Sequence, residues 1–368
     1  MSYHFRDFLE TLSFSFPFEK HMDQSLVVGR LAPSPTGSQH LGNAQTYLIA
    51  WLSARSRGGR VVLRVEDIDS PRVKPWAVAE AIEDLKWLGL DWDEGPDVGG
   101  SHGPYSQSER FCIYSESLLK LINAGFAYPC TCTRRDIESA SSAPHEAVVF
   151  RAGNLSLEQA QVGEVTGDLS SVDFHEGPIY SGKCGAWQLG DPLPDVGSFC
   201  WRFRSIDEVF ACVDRVFGLI AINPKRLLGD FPLTRKNGEI AYQLAVVVDD
   251  HAMNISEVVR GNDLLPSLFR QLSIIKTLKL KSPEYAHLPL VVGNDGRRLA
   301  KRHGDSRLSY YRSCGVSASQ IIGWLAKSIG LREVADPVMP SQLIDEFDWR
   351  LISRRPTVVA SANLFDVT

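Results

Sequence analysis

The stretch Arg30–Thr46, RLAPSPTGSQHLGNAQT, packs two prolines, two glycines and one histidine between two apolar runs. Before it, SLVVGR (25–30) reads as a strand. After it, apolar periodicity from about His40 to Ser56 reads as a helix. Pro33 and Pro35 fix the backbone of the connecting turn, and Gly37 and Gly42 remove side chains, so a ligand could approach the main chain closely. The helix that follows offers N–H groups and the positive end of its dipole to an anion, with His40 at its start. Alone, the turn fits two readings: an anion-binding loop, or a tight strand-to-helix connection that His40 caps.

Working outward, RVVLRVEDID (60–69) reads as a strand that ends in acids. Strand, Pro/Gly-rich turn, helix and strand together open a nucleotide-binding α/β unit of Rossmann type. Val78, Ile82, Leu85 and Leu88 recur at helical spacing up to Gly89, and another helix is predicted from Glu109 to Asn123. Near Tyr128 the pattern becomes irregular, rich in Ser, Gly and Pro, and five of the seven cysteines fall between Tyr128 and Gly229. Regular patterning resumes with EIAYQLAVVVDD (239–250), the strand-like NISEVVR (254–260) and a helix near Leu265–Leu278. A basic loop, GRRLAKRHGDSR (296–307), precedes short helices around SQIIGWLAKSIG (319–330). The expected organisation is an appendage over 1–24, a first core half over 25–127, an inserted subdomain over 128–229, a second core half over 230–292, and a loop with a short helical region over 293–368.

With 368 residues, 44% hydrophobic and 23% charged, the chain has room for two or three domains with a proper core. No apolar run reaches the roughly 18 residues of a membrane span. The opening MSYHFRDFLETLSFSFPFEK mixes acids, bases and aromatics, so no secretory signal is expected. An odd, scattered set of seven cysteines does not suit a disulfide framework, and a reducing, cytoplasmic setting is expected. At net charge -5 the chain is no bulk polycation, and any nucleic-acid partner must meet a local basic patch.

The basic loop changes the weight of the opening turn. Arg298, Lys301 and Arg302 sit between Gly296 and Gly304; by itself such a run is a solvated loop. Paired with HLGN (40–43), it resembles the two signatures of class I aminoacyl-tRNA synthetases: HLGN stands for the HIGH motif and RLAKR (298–302) for KMSKS. Attack of a carboxylate on the α-phosphate of ATP builds negative charge. One histidine and one lysine could each contribute about 2–4 kcal/mol to that transition state. The likeness is narrower than the class. The opening stretch, LRVEDIDSPR (63–72), LGLDWDEGPDVGGSHGPYSQSER (88–110), YQLAVVVDDHAMNISEVVRGNDLL (242–265) and KRHG (301–304) resemble the glutamyl-tRNA synthetase catalytic core.

That resemblance implies ATP, with Mg2+, as a substrate held by His40, Gly42, Asn43 and Lys301. His40 and Lys301 would be the catalytic pair. It implies L-glutamate on Arg30, Ser34, Glu66, Tyr242 and Arg260, with Glu66 facing the ammonium group and the arginines taking the carboxylates. From its neighbours alone, Glu66 could equally be a strand-end acid paired with Arg64 or Arg72. Asp67 and Asp69 suit a metal, local salt bridges or a helix cap. Two positions depart from the family pattern: Arg298 replaces the usual first lysine of the loop and Ala300 the usual serine.

Val246, four positions after Tyr242, stands where discriminating glutamyl-tRNA synthetases often carry Asn. YQLAVVVDD is similar to the shorter paralogous family, the glutamyl-Q tRNA(Asp) synthetases. These place glutamate on the queuosine base at the anticodon wobble position of tRNA(Asp). Residues after Lys301 leave no room for an anticodon-binding domain, which fits that family. The resemblance further implies a zinc ion on a C-x-C pair joined by Y-x-x-x-C: here Cys130 and Cys132, then Tyr180 and Cys184. Three thiolates and a phenolate make a closed, structural site. The long gap before Tyr180 leaves His145 or His175 as substitute ligands, and buried thiols beside a core tyrosine as the metal-free reading. Cys112, Cys200, Cys212 and Cys314 read as ordinary core or surface residues.

The implied partners are therefore L-glutamate, ATP and queuosine-containing tRNA(Asp), with no membrane and a monomeric enzyme. A minimal glutamyl-tRNA synthetase charging tRNA(Glu), or a catalytically silent RNA-binding paralogue, are the alternatives. Arg297, Arg298, Arg302, Arg307, Arg312, Arg350, Arg354 and Arg355 could face RNA phosphates, and Tyr310 or Tyr311 a base; each also suits a solvated surface or helix packing.

Overall fold

The computed structural model describes residues 26–68, 73–140, 178–296, 299, 306–359 and 365. Its scaffold is two parallel βαβ units laid side by side. In the first, β1 (Val28–Leu31) and β2 (Arg60–Leu63) pair in parallel and are joined by α1 (Leu41–Arg55). α1 buries the four successive residues Leu48, Ile49, Ala50 and Trp51, which point to all sides of the helix, so it lies inside the core rather than on its surface. Gly29 lets strand and helix meet: a Cβ there would stand 3.2 Å from the Ala54 Cβ.

Along the chain follow α2 (Pro75–Trp87), α3 (Phe111–Asn123), β3 (Ala127–Cys130) and α4 (Arg134–Ala140). α2 ends where Gly89 adopts φ +81°, the left-handed stop that its position suggested. Next come β4 (Cys200–Phe203), β5 (Phe210–Asp214), β6 (Gly218–Ile222), α5 (Pro224–Leu227) and β7 (Phe231–Pro232). The second unit contains α6 (Tyr242–Ala252), β8 (Glu257–Gly261), α7 (Leu265–Leu278) and β9 (Glu284–Leu288). The chain closes with β10 (Val291–Gly293), α8 (Leu308–Ser313), α9 (Ala318–Ser328) and β11 (Thr357–Val359), and β11 pairs in parallel with β10.

β8 pairs in parallel with β9, and β9 with β5, giving the order β6-β5-β9-β8. β1 lies against β8, since the Ser256 N–H donates to the Val28 carbonyl at 2.9 Å. From that seam one unit runs outward to β2 and the other to β9. This is a switch point in strand order, where α/β sheets open a cleft at the carboxyl ends of their strands.

The described residues between 128 and 229 are more regular than the composition of that stretch suggests. β3, β4 and β7 form a separate antiparallel sheet, but the β5–β6 hairpin extends the sheet of the second unit. One apolar cluster fills the βαβ units and α9; a second lies under α3, α6 and Phe203; a small third gathers Tyr128, Cys130, Tyr180 and Cys200. Among the described residues no helix is long and apolar enough to cross a membrane. The appendage, Asp69, Arg72, His145, His175, Arg297, Arg298, Ala300, Lys301 and Arg302 lie outside the described residues.

Candidate active site

A cleft of about 470 Å³ opens at the switch point. Arg30, Ser34, His40, Gly42, Asn43, Glu66, Tyr242 and Arg260 all line it, although they come from four distant parts of the chain. Every expected substrate or nucleotide residue that the structure describes is therefore in one place. Lys301 is the exception, because it lies outside the described residues, but the chain on both sides of it is tied to the cleft. The Leu299 N–H donates to the carbonyl of the cleft residue Val291 at 3.3 Å. On the other side, Leu41 N–H donates to Ser306 O at 3.1 Å and Leu308 N–H to Gln39 O at 2.9 Å, a bridge centred on His40 and Arg307.

His40 caps the helix and also lines the cleft. It is the N-cap of α1, and its Nδ1 accepts the N–H groups of Gly42 at 3.1 Å and Asn43 at 3.4 Å. A nitrogen that accepts carries no proton, so the neutral imidazole is protonated on Nε2 and donates from there. The cap also corrects the expectation of open N–H groups. Leu41, Gly42 and Asn43 already donate within the protein, so the helix brings dipole and imidazole rather than bare amides.

Glu66 pairs as its neighbours suggested, accepting from Arg64 Nη2 at 3.0 Å, and it also lines the cleft. Arg64 is fully buried and also donates from Nη1 to Asp250 Oδ1 at 2.7 Å. The same Asp250 oxygen stands 3.4 Å from Arg30 Nε, while Arg30 Nη1 donates to the Val259 carbonyl at 3.2 Å. Asp250 thus clamps two arginines at once. Burial pushes the Glu66 carboxyl up, against the pull of Arg64 and Arg30, so a further cation beside it would be welcome. Burial also raises the Tyr242 phenol, which keeps its proton and can donate. Asp67 is a cap rather than a metal ligand here: it accepts the Ser108 N–H at 2.9 Å and the Ser108 hydroxyl at 2.6 Å. Val246 is buried in the second apolar cluster and does not line the cleft.

On the antiparallel sheet, the thiols of Cys130, Cys132 and Cys184 lie within 4.8 Å of one another. The Cys132 and Cys184 sulfurs are 3.7 Å apart, and the Tyr180 oxygen is 3.4 Å from Cys130 and 3.7 Å from Cys132. Tetrahedral zinc with its usual bond lengths sets ligand sulfurs about 3.8 Å apart and a sulfur and an oxygen about 3.5 Å apart. The donor set fits that ion. Cys200, read as an ordinary core residue, is the cross-strand partner of Cys130. Its thiol, Tyr180 and Arg202 hold the Cys130 thiol well below the usual range. The Arg202 guanidinium also covers the Tyr180 ring at 4.1 Å.

The candidate RNA face is only partly open. Arg312 pairs with Asp84 at 3.3 Å, Arg350 pairs with Asp348, and Tyr311 is buried against Tyr310; Arg354 and Arg355 are exposed.

Residues 26–161 and 195–364 match the family model "tRNA synthetases class I (E and Q), catalytic domain". The chain belongs to this class I synthetase family. The glutamyl-Q tRNA(Asp) synthetase of Rhodopirellula baltica is 49% identical over 348 residues, covering 91% of this chain and 97% of that protein. The enzyme of the same name from Symbiobacterium thermophilum is 42% identical, covering 92% and 98%. Among solved structures, a glutamate tRNA ligase from Elizabethkingia meningosepticum, in complex with its amino acid, superposes with a TM-score of 0.70 at 26% identity. That superposition covers 91% of this chain and 67% of the ligase. Within this class I synthetase, family resemblance marked Arg30, Glu66 and Arg260 as site candidates, whereas Asp250 and Gln39 were not singled out. Gln39 accepts from the Tyr47 hydroxyl at 2.9 Å on the cleft wall.

Proposed function

We propose that this synthetase activates L-glutamate with ATP to glutamyl-adenylate and passes the glutamyl group to queuosine in tRNA(Asp). The observation that carries the reading is the convergence of two buried arginines and one buried carboxylate in a single cleft with His40. Glutamate has two carboxylates and an ammonium group, the complement of that set. Arg30 and Arg260 take the carboxylates, Glu66 the ammonium, and Ser34 and Tyr242 supply hydroxyls. A carboxylate oxygen then bonds to the α-phosphorus of ATP as the bond to pyrophosphate breaks. The Nε2–H of His40 and the ammonium of Lys301 meet the growing charge, with Mg2+ accompanying the nucleotide, and no proton need move. In the second step a cyclopentene-diol hydroxyl of queuosine attacks the acyl carbon and AMP leaves.

Cys130, Cys132, Cys184 and Tyr180 would hold zinc, which as a closed site supplies folding energy rather than chemistry. The high, nearly full-length similarity to two glutamyl-Q tRNA(Asp) synthetases supports the choice of acceptor.

The test has two stages. Glutamate-dependent exchange of pyrophosphate into ATP is expected without any tRNA. Acceptor assays then compare queuosine-containing tRNA(Asp) with tRNA(Glu), and transfer is expected to the first alone. Charging of tRNA(Glu) instead would establish a minimal glutamyl-tRNA synthetase. Absence of exchange would establish a silent paralogue.

A further inference from the structure

We propose that Asp214 and His287 form a positioning relay that fixes the Arg260 guanidinium for a substrate carboxylate. The inference rests on the glutamate reading of the cleft.

Arg260 is buried on β8, and its hydrogen bonds are divided unequally. Nε donates to His287 Nε2 at 2.9 Å, and Nη1 donates to Gln271 Oε1 at 2.8 Å. Nη2 is buried without a hydrogen-bond partner, on a residue that lines the cleft. A guanidinium never gives up its proton, so His287 Nε2 must be the acceptor. The His287 proton is then on Nδ1, and it donates to Asp214 Oδ2 at 2.7 Å. Burial lowers the basicity of His287, which keeps the ring neutral beside a fixed cation.

Asp214 is itself immobile. Its Oδ1 accepts the N–H groups of Val216 and Phe217, each at 2.9 Å, and its Oδ2 also accepts the His287 N–H at 3.0 Å. These contacts lock the β5–β6 turn to β9. On the other flank, Gln271 Nε2 donates to Gln243 Oε1 at 3.1 Å, which turns the Gln271 carbonyl towards Arg260. The Tyr285 ring covers the guanidinium at 5.5 Å. Nε and Nη1 are thus occupied by protein acceptors, and Nη2 is left for a ligand. A carboxylate is the group that a guanidinium edge recognises best. The relay therefore gives the β5–β6 hairpin a role in the site that it does not touch.

The experiment measures pyrophosphate exchange in wild-type protein, His287→Ala and His287→Gln, varying glutamate and ATP separately, with a thermal melt of each. Glutamine keeps a carbonyl for Arg260 and an amide donor for Asp214. His287→Ala is expected to raise KM for glutamate about tenfold or more while KM for ATP changes less than about twofold, and His287→Gln to recover most of the loss. An unchanged glutamate KM, an equal rise in both KM values, or no recovery in His287→Gln would overturn the relay. The nitrogen NMR signals of the wild-type imidazole give a second readout that requires no variant to fold. A neutral ring protonated on Nδ1 is expected, and an Nε2-protonated ring or an imidazolium overturns the proposal. Wild-type protein without glutamate-dependent exchange would instead defeat the glutamate reading, and the relay with it.

Discussion

Glu66 carries the most exposed consequence of the site's electrostatics. Its carboxyl is raised by burial, and Arg64 and Arg30 only partly offset the effect. A raised carboxylate pKa means that the charge needed for an ammonium group is lost at a higher pH than for an exposed glutamate. As pH falls through that value, Glu66 gains a proton and attraction for the substrate ammonium disappears. The glutamate kcat/KM is therefore expected to fall on the acid side, with a midpoint above the ordinary carboxylate range. That midpoint reports the free enzyme. Glu66→Gln should cost about tenfold or more in glutamate kcat/KM at neutral pH and flatten that limb. A variant that kept the wild-type acid limb would assign it to another group. Glu66 was legible in the sequence only through the family resemblance of LRVEDIDSPR, because among the neighbouring acids Asp67 and Asp69 its residue type alone suited a strand-end ion pair. Its environment was not, because Asp250 reaches Arg30 and Arg64 from a stretch almost two hundred residues away. His287 and Asp214 were hidden for the same reason: each sits in a bland apolar strand, and only pairing between β5 and β9 joins them.

Whole elements were read well where local chemistry sets them. Helical spacing of Val78, Ile82, Leu85 and Leu88 with Gly89 at the end framed α2, and apolar patterning placed α3 and α7. The hairpin β5–β6 was missed because its strands are five residues each and earn their place through β9, far along the chain. Contact between α8 and α2 was equally invisible, and it has a testable cost. Asp84 on α2 is buried and neither carboxylate oxygen has a hydrogen-bond partner among the described residues; Arg312 on α8 approaches to 3.3 Å and also lies over the Trp87 ring. Burial outweighs that ion pair and pushes the Asp84 carboxyl up to about 6. A carboxyl whose pKa is higher folded than unfolded binds its proton more tightly in the native state. Its penalty is present in full above about pH 6 and fades as pH falls towards the ordinary value. Asp84→Asn should therefore raise the melting midpoint by a few degrees at pH 8, and the gain should shrink by pH 5. Thermal melts across that range check the sign. A loss of stability at pH 8 would mean that the pair with Arg312 outweighs burial.

At the scale of the molecule, the catalytic cleft and the cysteine cluster are built on different sheets with different cores. The cleft rests on the βαβ units, whose apolar cluster contains none of Cys130, Cys132, Tyr180 and Cys184, nor their neighbours Tyr128 and Cys200. The cysteine cluster has only a handful of buried apolar groups around it, too few to hold the Cys130 end of β3, the Cys200 end of β4 and the segment near Tyr180 by packing alone, although Ala127 and Phe203 anchor the other ends of those strands in the second cluster. Bound zinc would substitute for that missing core. Three thiolates, one phenolate and a divalent ion leave excess negative charge, which Arg202 over the Tyr180 ring offsets. Metal removal should therefore loosen one sheet and spare the other. After chelation, amide exchange is expected to accelerate about tenfold or more at the cysteine ends of β3 and β4 and near Tyr180–Cys184, with β1, β8 and α1 unchanged. Glutamate-dependent pyrophosphate exchange should persist, since the cleft draws no residue from the cluster. Restored zinc should return the protection. Uniform acceleration across both sheets would mean that they unfold as one unit, and unchanged exchange in β3 and β4 would mean that the thiols fold without metal.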